Sequence, residues 1–416
     1  MLARARAYAH VGPALWVLAA TTIANVFAYG YQVVMARLLV PDDYAILTAL
    51  FGILILEQLS AQVIQSATAR LAAQYRARGE EAALHVFVRR WMRRILVGAG
   101  LPSLAIVALA PFIAAALSLP VGSVALLGAA LFVSAPLTFT GGLLQGLGRF
   151  GWFGWYFIAQ ALARLAIGVA LVAGGFGLSG AFIGALAALV VGLGVSLVPL
   201  APLLRASRGA VHAVELGARE TRFFLFASVV MLAYAALTNI DAIASRALLP
   251  AGDAGAYAAS ITMAKIVLFA PIAIGFLLLE RTARAHARGE DTDRALFLAI
   301  AFVLATSGLV TVAYLAAPSL LTGLIVGSQY PLAASLIGPY AVAALLNALL
   351  SLWIAHFIGR DEMRFGVVLA CAVAGEVIAI LLFPHTAGTL VRIVLAVAAA
   401  AQAAAIATYL WERAHR

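Results

Sequence analysis

Five ionisable side chains lie inside long apolar stretches of this chain, where a charged group is costly. They are Glu57, Arg164, Asp241, Lys265 and Glu376. A charge at the bilayer centre costs about 2.5–3.5 kcal/mol on insertion scales, so such side chains face protein or a water-filled cavity. There, a guanidinium or ammonium group can bind an anionic cargo, and a carboxylate can take up a proton or a sodium ion.

Structural roles for the same residues stay open. Arg164 and Glu376 can form an ion pair, and Lys265, the only lysine of the chain, can pair with Asp241 or Glu57. On the functional interpretation, Arg164 and Lys265 bind an anionic cargo, and the guanidinium of Arg164 also matches the geometry of phosphate. Asp241, Glu57 and Glu376 are then candidates for coupling transport to H⁺ or Na⁺.

A polar stripe occurs on one helical face in each half of the chain, at a constant offset. It holds Asn25, Tyr29, Gln32 and Ala36 in the first half and Tyr234, Thr238, Asp241 and Ser245 in the second. Residues with this spacing share one face of a helix. The stripe fits the wall of a cavity shared by the two halves, in which Tyr29 and Tyr234 contact cargo. The alternative is polar contact between packed helices.

The second apolar stretch carries a further polar face with Glu57, Gln58, Gln62 and Gln65. Four large polar groups on one membrane helix are unfavourable against lipid. We therefore expect Gln58 and Gln62 to line the cavity and to contact cargo, with a hydrogen-bond ladder between helices as the alternative.

The composition is that of an integral membrane protein. The 416 residues are 65% hydrophobic and 11% charged, whereas a soluble domain is about 25% charged. At roughly 20 residues per span the chain holds about twelve membrane helices. We predict spans near 12–36, 44–69, 95–117, 124–148, 152–174, 179–204, 223–247, 254–280, 295–317, 332–357, 364–383 and 389–411.

The arginines indicate how the chain is arranged across the membrane. The formal net charge is +10, and the arginines gather in alternate segments between spans, as the positive-inside rule requires. This places both termini in the cytoplasm and argues against nucleic acid as a partner. The basic segment 205–222 divides the chain into bundles 1–204 and 223–416. We expect no cofactor, no metal site and no enzymatic activity.

Short motifs mark the ends of the helices. Arg37 and Arg246 each end a span on the outer side and are each followed by Pro and Asp, which predicts capping salt bridges at an outer gate. Span six has a face made of small residues, which predicts close helix packing. That face consists of Gly180, Gly184, Ala188, Gly192 and Ser196.

These motifs also carry a family resemblance. The segment 37–45, Arg-Leu-Leu-Val-Pro-Asp-Asp-Tyr-Ala, resembles the R-x-L-x-P-x-D-Y-G signature after the first span of Wzx-type oligosaccharide flippases, with Ala45 where glycine is usual. These are polysaccharide transporters of the multidrug/oligosaccharidyl-lipid/polysaccharide (MOP) exporter superfamily. Segments 143–150 and 356–360 are similar to that family's ends of spans four and ten, and 327–330 resembles its G-x-x-Y motif.

The resemblance implies an all-α protein of about twelve spans in two pseudo-symmetric six-helix bundles, in the V shape of MATE transporters. It implies a polyprenyl-pyrophosphate-linked oligosaccharide as cargo, moved between leaflets of a bacterial inner membrane, with membrane lipids around it. Arg164 and Lys265 would meet the diphosphate. Contact with a glycan polymerase or glycosyltransferases is a further expectation.

Two other functions compete with this interpretation. A multidrug antiporter of the same superfamily would need a carboxylate-rich cavity for cationic drugs, whereas Arg164 and Lys265 favour an anionic cargo. A membrane glycosyltransferase would carry an acidic pair in its first outer loop, where Asp42 and Asp43 lie. Such an enzyme also needs sizeable outer loops for its acceptor, and the predicted loops are short.

Overall fold

The computed structural model describes residues 2–204, 218–268, 278, 282, 293–360 and 365–415. Within these ranges every regular element is helical, which confirms the predicted all-α class. Ten stretches of the described residues are helices long and apolar enough to cross a membrane. The chain is therefore a multi-pass membrane protein.

The ten stretches compare closely with the predicted spans. The stretch Phe150–Leu204 is 55 residues long and contains two successive helices, predicted as spans five and six. Predicted span eight begins as the helix Ala251–Ala264, but residues 269–277 lie outside the described residues. The remaining predicted spans each overlap one of the ten stretches.

Two compact units form along the chain. Unit 1 comprises Met1–Leu38 and Glu57–Phe224, and unit 2 comprises Leu39–Leu56 and Leu225–Arg416. The predicted bundles 1–204 and 223–416 stay a prediction, and most of the predicted linker 205–222 lies outside the described residues. Leu39–Leu56, from the first half of the sequence, packs with unit 2.

Unit 1 is built from seven helices of the described chain. They are α1 (Leu2–Leu38), α2 (Pro41–Arg78), α3 (Glu81–Ala108), α4 (Ala110–Leu117), α5 (Val121–Gly146), α6 (Phe150–Leu171) and α7 (Gly177–Leu204). Pro41 stands at the first position of α2, where its missing N–H is not needed, and Asp42 and Asp43 follow in the first turn, where the helix dipole favours acids. The first half of α2 belongs to unit 2 and the second half to unit 1.

The close packing of α6 and α7 depends on small residues. A short π-helical turn, Val172–Phe176, connects the two helices, and Gly175 there has φ +91°, a conformation that only glycine adopts without strain. The predicted small-residue face of α7 is buried. A Cβ added to Gly184 would collide with the backbone of Gly168 on α6, so the predicted packing role is confirmed.

Among the described residues, unit 2 contains most of α8 and the helices that follow it. They are α8 (Ala218–Leu237), α9 (Ile240–Leu248), α10 (Ala251–Ala264), α11 (Asp293–Ala316), α12 (Pro318–Ile325), α13 (Ala333–Gly359), α14 (Phe365–Leu382) and α15 (Ala387–Ala414). The core lies along α13, where Phe357 stacks on Phe365 of α14 with ring centroids 4.5 Å apart. Trp353 of α13 packs against Tyr409 of α15 in the same core.

Predicted span seven is interrupted rather than continuous. Thr238 and Asn239 separate α8 from α9, and Asn239 has a non-helical backbone with φ −143° and ψ −9°. The Asn239 amide donates to the carbonyl of Ala235 at 3.0 Å, and the Thr238 hydroxyl donates to that of Tyr234 at 2.9 Å. The Asn239 backbone N–H bonds to the Ala236 carbonyl instead of that of Ala235. The Asn239 side chain therefore satisfies the carbonyl freed at the break, and the interruption is tolerated inside a membrane helix.

Candidate functional site

Arg164 is the centre of a polar cluster in unit 1. Its guanidinium carbon lies 5.8 Å from the centroid of the Tyr31 ring, a cation–π geometry. The Tyr31 hydroxyl donates to the carbonyl of Ala181 at 2.7 Å. Arg164 stands on α6, Tyr31 on α1 and Ala181 on α7, so three helices of unit 1 fix the arginine.

Two glycines make this arrangement possible. A Cβ added to Gly168, one turn after Arg164, would lie 2.6 Å from a ring carbon of Tyr31. Gly184 of α7 approaches the backbone of Gly168 from another side. The Tyr31 ring therefore reaches Arg164 because α6 presents no side chain at Gly168.

The other predicted site residues of unit 1 differ in how far their side chains are buried. Gln32 is 8% exposed, and its Oε1 accepts no hydrogen bond from the described residues. Tyr29 and Glu57 are half-buried. The Glu57 carboxylate lies near the Ser134 hydroxyl of α5. Gln58 and Gln62 are exposed on α2, so their predicted contact with cargo stays a prediction.

Asp241 is the centre of a second cluster, in unit 2. It is 1% exposed and lies in the first turn of α9, directly after the helix break. Its Oδ2 accepts two hydrogen bonds, at 2.9 Å from the Tyr257 hydroxyl and at 2.5 Å from the Tyr340 hydroxyl. Oδ1 accepts none from the described residues. Tyr257 belongs to α10 and Tyr340 to α13, so three helices meet at this carboxylate.

Glu376 of α14 completes the cluster. It is 1% exposed, and neither of its carboxylate oxygens has a hydrogen-bond partner among the described residues. The carboxylate lies within electrostatic reach of Asp241, Tyr257 and Tyr340. Two buried carboxylates that interact in this way repel when both are charged, so a proton or a monovalent cation bound at either one relieves the repulsion.

Tyr234 and Lys265 lie elsewhere in unit 2. The Tyr234 hydroxyl donates to the carbonyl of Asn347 at 3.1 Å. Lys265 is half-buried and opens the 3₁₀ turn Lys265–Leu268 that follows α10. The hydroxyls of Tyr314 and Ser307 on α11 hold this region through the carbonyls of Met263 and Val267, at 2.9 and 2.6 Å.

The predicted gate residue Arg246 forms an ion pair. Its guanidinium lies 3.1 Å from the Asp42 carboxylate. The sequence at 35–45 is repeated in a varied form at 244–257. Asp42 belongs to the first copy of this motif and Arg246 to the second, so within unit 2 the two copies meet. Arg37 is exposed at the end of α1, and its predicted role at the gate stays a prediction.

Further contacts hold the first motif in unit 2. A Cβ added to Gly255 would lie 2.5 Å from the carbonyl oxygen of Pro41. The Tyr44 and Thr262 hydroxyls are 2.5 Å apart, and the Gln329 amide donates to the carbonyl of Leu39 at 3.3 Å. The segment Leu39–Leu56 is thus fixed by backbone contact and by hydrogen bonds.

Three tyrosines of these clusters were not identified as site residues from the sequence. Tyr31 lies beside the predicted stripe, and Tyr257 ends the second copy of the repeated motif. Tyr340 is buried in the first third of α13, and no sequence signal connects it with Asp241. Among the described residues, no group of three or more His, Cys, Asp or Glu is placed to hold a metal ion.

Neither a protein-family model nor a curated protein sequence matches this chain. Solved structures match it over nearly its whole length. A multidrug resistance MATE family transporter of the MOP superfamily in an inward-facing conformation gives a TM-score of 0.74 at 15% identity, over 95% of this chain and 94% of that one. The lipid II flippase MurJ in an inward closed conformation gives a TM-score of 0.71 at 10% identity, over 95% and 87%.

A third match is a MOP superfamily transporter from Pyrococcus furiosus. Its TM-score is 0.64 at 16% identity, over 97% of this chain and 93% of that one, and its binding pocket is described as having reverse polarity, suggesting a different function. At these identities the likeness establishes the fold. This chain has the fold of MOP superfamily transporters.

Proposed function

We propose that this protein is a flippase that moves a polyprenyl-pyrophosphate-linked oligosaccharide from the inner to the outer leaflet of a bacterial inner membrane by alternating access. The observation that carries the proposal is Arg164, a cation held inside a membrane-spanning helix against Tyr31. A guanidinium inside a membrane-spanning helix is costly, and binding of an anionic cargo would account for its presence. The fold, shared with MATE transporters and the lipid II flippase MurJ, supports a transport role.

In this function the cations recognise the diphosphate. The Arg164 guanidinium can form two parallel hydrogen bonds with phosphate oxygens, and Lys265 supplies a second positive charge. Gln58 and Gln62 are exposed amides on α2, and Tyr29 and Tyr234 are phenols of the two stripes. Amides and phenols both donate and accept hydrogen bonds, which suits sugar hydroxyls.

The buried carboxylates give the protein a means of coupling transport to an ion gradient. Asp241 and Glu376 can take up a proton or a sodium ion, and Oδ1 of Asp241 together with both oxygens of Glu376 offers lone pairs that no described residue uses. Moving one charge through the membrane potential yields about 2.3 kcal/mol per 100 mV. Glu57 is a further coupling candidate in unit 1.

Closure of the outer gate is assigned to the two copies of the repeated motif. The Arg246–Asp42 ion pair and the contact of Pro41 with Gly255 hold Leu39–Leu56 in unit 2. We assign Arg37 to the same gate. Both termini are proposed to lie in the cytoplasm, and a glycan polymerase or glycosyltransferases are proposed as neighbours of the transporter.

A translocation assay tests the proposal. The purified protein is reconstituted into liposomes with a fluorescent polyprenyl-pyrophosphate oligosaccharide, and the label exposed to an added quencher is followed with time. We expect translocation of this lipid and much slower translocation of the same oligosaccharide on a lipid without phosphate. Equal rates for the two lipids would contradict an anionic cargo site.

A cation-coupled multidrug antiporter is the second candidate, and the Asp241–Glu376 pair favours it because buried carboxylates suit cationic drugs. The same liposomes separate the two functions. An antiporter would accumulate a fluorescent organic cation when an ion gradient is imposed, and it would leave the glycolipid in its original leaflet. We expect the reverse pattern.

A further inference from the structure

A cavity lies at one end of unit 1, away from Arg164. Its volume is about 500 Å³, and its walls come from the C-terminal ends of α2, α5 and α7 and the N-terminal ends of α3 and α6. All five helices belong to membrane-spanning stretches. The cavity therefore lies at the ends of these helices rather than midway along them.

Two arginines line this cavity, and backbone carbonyls hold both. Arg76 of α2 donates through Nη1 to the carbonyl of Leu147, and Arg149, directly before α6, donates through Nη1 to that of Pro199. Neither arginine forms an ion pair with a described residue. Because a guanidinium has five N–H donors, each arginine keeps several donors beyond the one that anchors it.

The surrounding backbone strengthens the preference for an anion. The helices α3 and α6 begin at this cavity, and neither has a side-chain hydrogen bond capping its N-terminus. Free amides and the helix dipole at such ends favour negative charge. His85, also in the lining, has a buried Nδ1 without a partner among the described residues.

Gly148 keeps the cavity open around Arg76. It has φ +68°, and a Cβ at this position would collide with the Arg76 guanidinium. The segment Gln145–Phe150 therefore has to contain glycine here for Arg76 to occupy its place. Glu81 is the acidic residue of the lining and forms no ion pair with a described residue.

We propose that this cavity binds a phosphate group, carried by the headgroup of an anionic phospholipid or present as free phosphate. Two anchored guanidinium groups, a histidine and two uncapped helix N-termini offer donors to several phosphate oxygens at once. The volume exceeds what a phosphate ion alone needs and leaves room for a headgroup. The site is separate from the proposed cargo site at Arg164, so it stands whether or not the flippase function does.

The test compares two double variants with the same change of net charge. R76Q/R149Q removes the proposed ligands, and R78Q/R90Q removes two exposed arginines that do not line the cavity. Thermal stability in detergent is measured against inorganic phosphate, with chloride at equal ionic strength as the reference. Lipid retention is measured by native mass spectrometry after exposure to vesicles of phosphatidylcholine alone or with phosphatidylglycerol.

We expect R76Q/R149Q to lose about tenfold or more in affinity, while R78Q/R90Q behaves as the wild type. Stabilisation by inorganic phosphate would identify a free anion as sufficient. Retention of phosphatidylglycerol without a phosphate effect would identify the lipid headgroup as the ligand. An equal response of the two double variants in both measurements would overturn the proposal.

A variant that is expected to bind more tightly completes the test, because misfolding can weaken binding but cannot strengthen it. E81Q removes the negative charge of the lining and should tighten binding roughly twofold to fivefold, whereas E80Q, at the neighbouring position outside the lining, should leave binding unchanged. Unchanged or weaker binding by E81Q would contradict an anion site even if R76Q/R149Q cannot be purified.

Discussion

The two units hold clusters of opposite charge within their membrane-spanning helices, and tyrosines contact the charged group in both. In unit 1 the face of the Tyr31 ring meets the Arg164 guanidinium. In unit 2 the hydroxyls of Tyr257 and Tyr340 donate to the Asp241 carboxylate. A tyrosine stabilises a cation through its ring and an anion through its O–H, so the same residue type can stabilise a positive or a negative side chain.

The difference between the units follows the course of the backbone. Gln32 and Asp241 occupy the same position of the sequence repeat, but α1 continues through Gln32, whereas the helix is broken directly before Asp241. The break gives α9 its own N-terminus, with free amides that favour a negative charge nearby. A continuous helix offers no such amides. The broken helix therefore explains why unit 2, rather than unit 1, holds the acid at this position.

Removing the charge of Asp241 should have the largest effect. We expect D241N to abolish the dependence of glycolipid translocation on the ion gradient, because losing one partner of a buried charge costs about 3–5 kcal/mol, roughly 100-fold or more in cation affinity. The measurement is flux in proteoliposomes across a series of pH values and sodium concentrations.

Asp253 of α10 provides the matched control, since it lies in a first helical turn and is half-buried outside the cluster. D253N should keep the wild-type ion dependence. If D241N retains wild-type flux throughout the series, Asp241 has a structural role and the comparison of the two clusters loses its functional meaning.

Changing Arg164 should weaken the binding of cargo rather than the binding of the coupling ion. R164Q removes a charge-assisted interaction worth about 1.5–3 kcal/mol, so the concentration for half-maximal translocation should rise roughly 10- to 100-fold. R164K keeps the charge but loses the bidentate geometry and should fall between R164Q and the wild type. R392Q, on the exposed face of α15, is the control and should leave translocation unchanged. Wild-type translocation by R164Q would remove Arg164 from the cargo site.

The sequence predicted the charged residues of both clusters but not what surrounds them. Arg164, Asp241 and Glu376 stand out because each is ionisable inside an apolar stretch, which needs no knowledge of neighbours. The partners come from distant positions. Tyr340 lies 99 residues from Asp241 along the chain, and a buried tyrosine in an apolar helix has many other uses.

Backbone interruptions were equally hidden in the sequence. Thr238 and Asn239 carry the local signal for a helix end, but span seven is apolar enough to be taken as one helix, and no proline marks the break. The contact of Leu39–Leu56 with the rest of unit 2 depends on the close fit of Pro41 against Gly255. A fit of this kind between separate segments follows from packing, which hydrophobic periodicity does not describe.

The two tyrosines of unit 2 should have unequal and smaller effects. Each hydrogen bond to a charged group contributes about 1.5–3 kcal/mol, and the Tyr340 bond is shorter than the Tyr257 bond, at 2.5 against 2.9 Å. Y340F should therefore tighten the apparent ion affinity about tenfold and Y257F somewhat less, because each bond stabilises the carboxylate that has no ion bound. Y314F, whose hydroxyl donates to the Met263 carbonyl instead, is the control. Equal behaviour of all three variants would mean that the phenols do not tune Asp241.

The smallest effect is expected where opposite charges from the two repeats meet at the protein surface. Asp42 is 40% exposed and Arg246 is 14% exposed, so their pair contributes about 0.2–1 kcal/mol. D42N and R246Q should each lower the melting temperature slightly, and the exchange D42R/R246D should recover part of that loss because the attraction is kept.

A gate that depends on this pair also predicts faster opening in the single variants, measured as labelling of a cysteine placed at Thr262 beside Tyr44. Equal labelling of the single variants and the exchange variant would leave the pair with a purely local role.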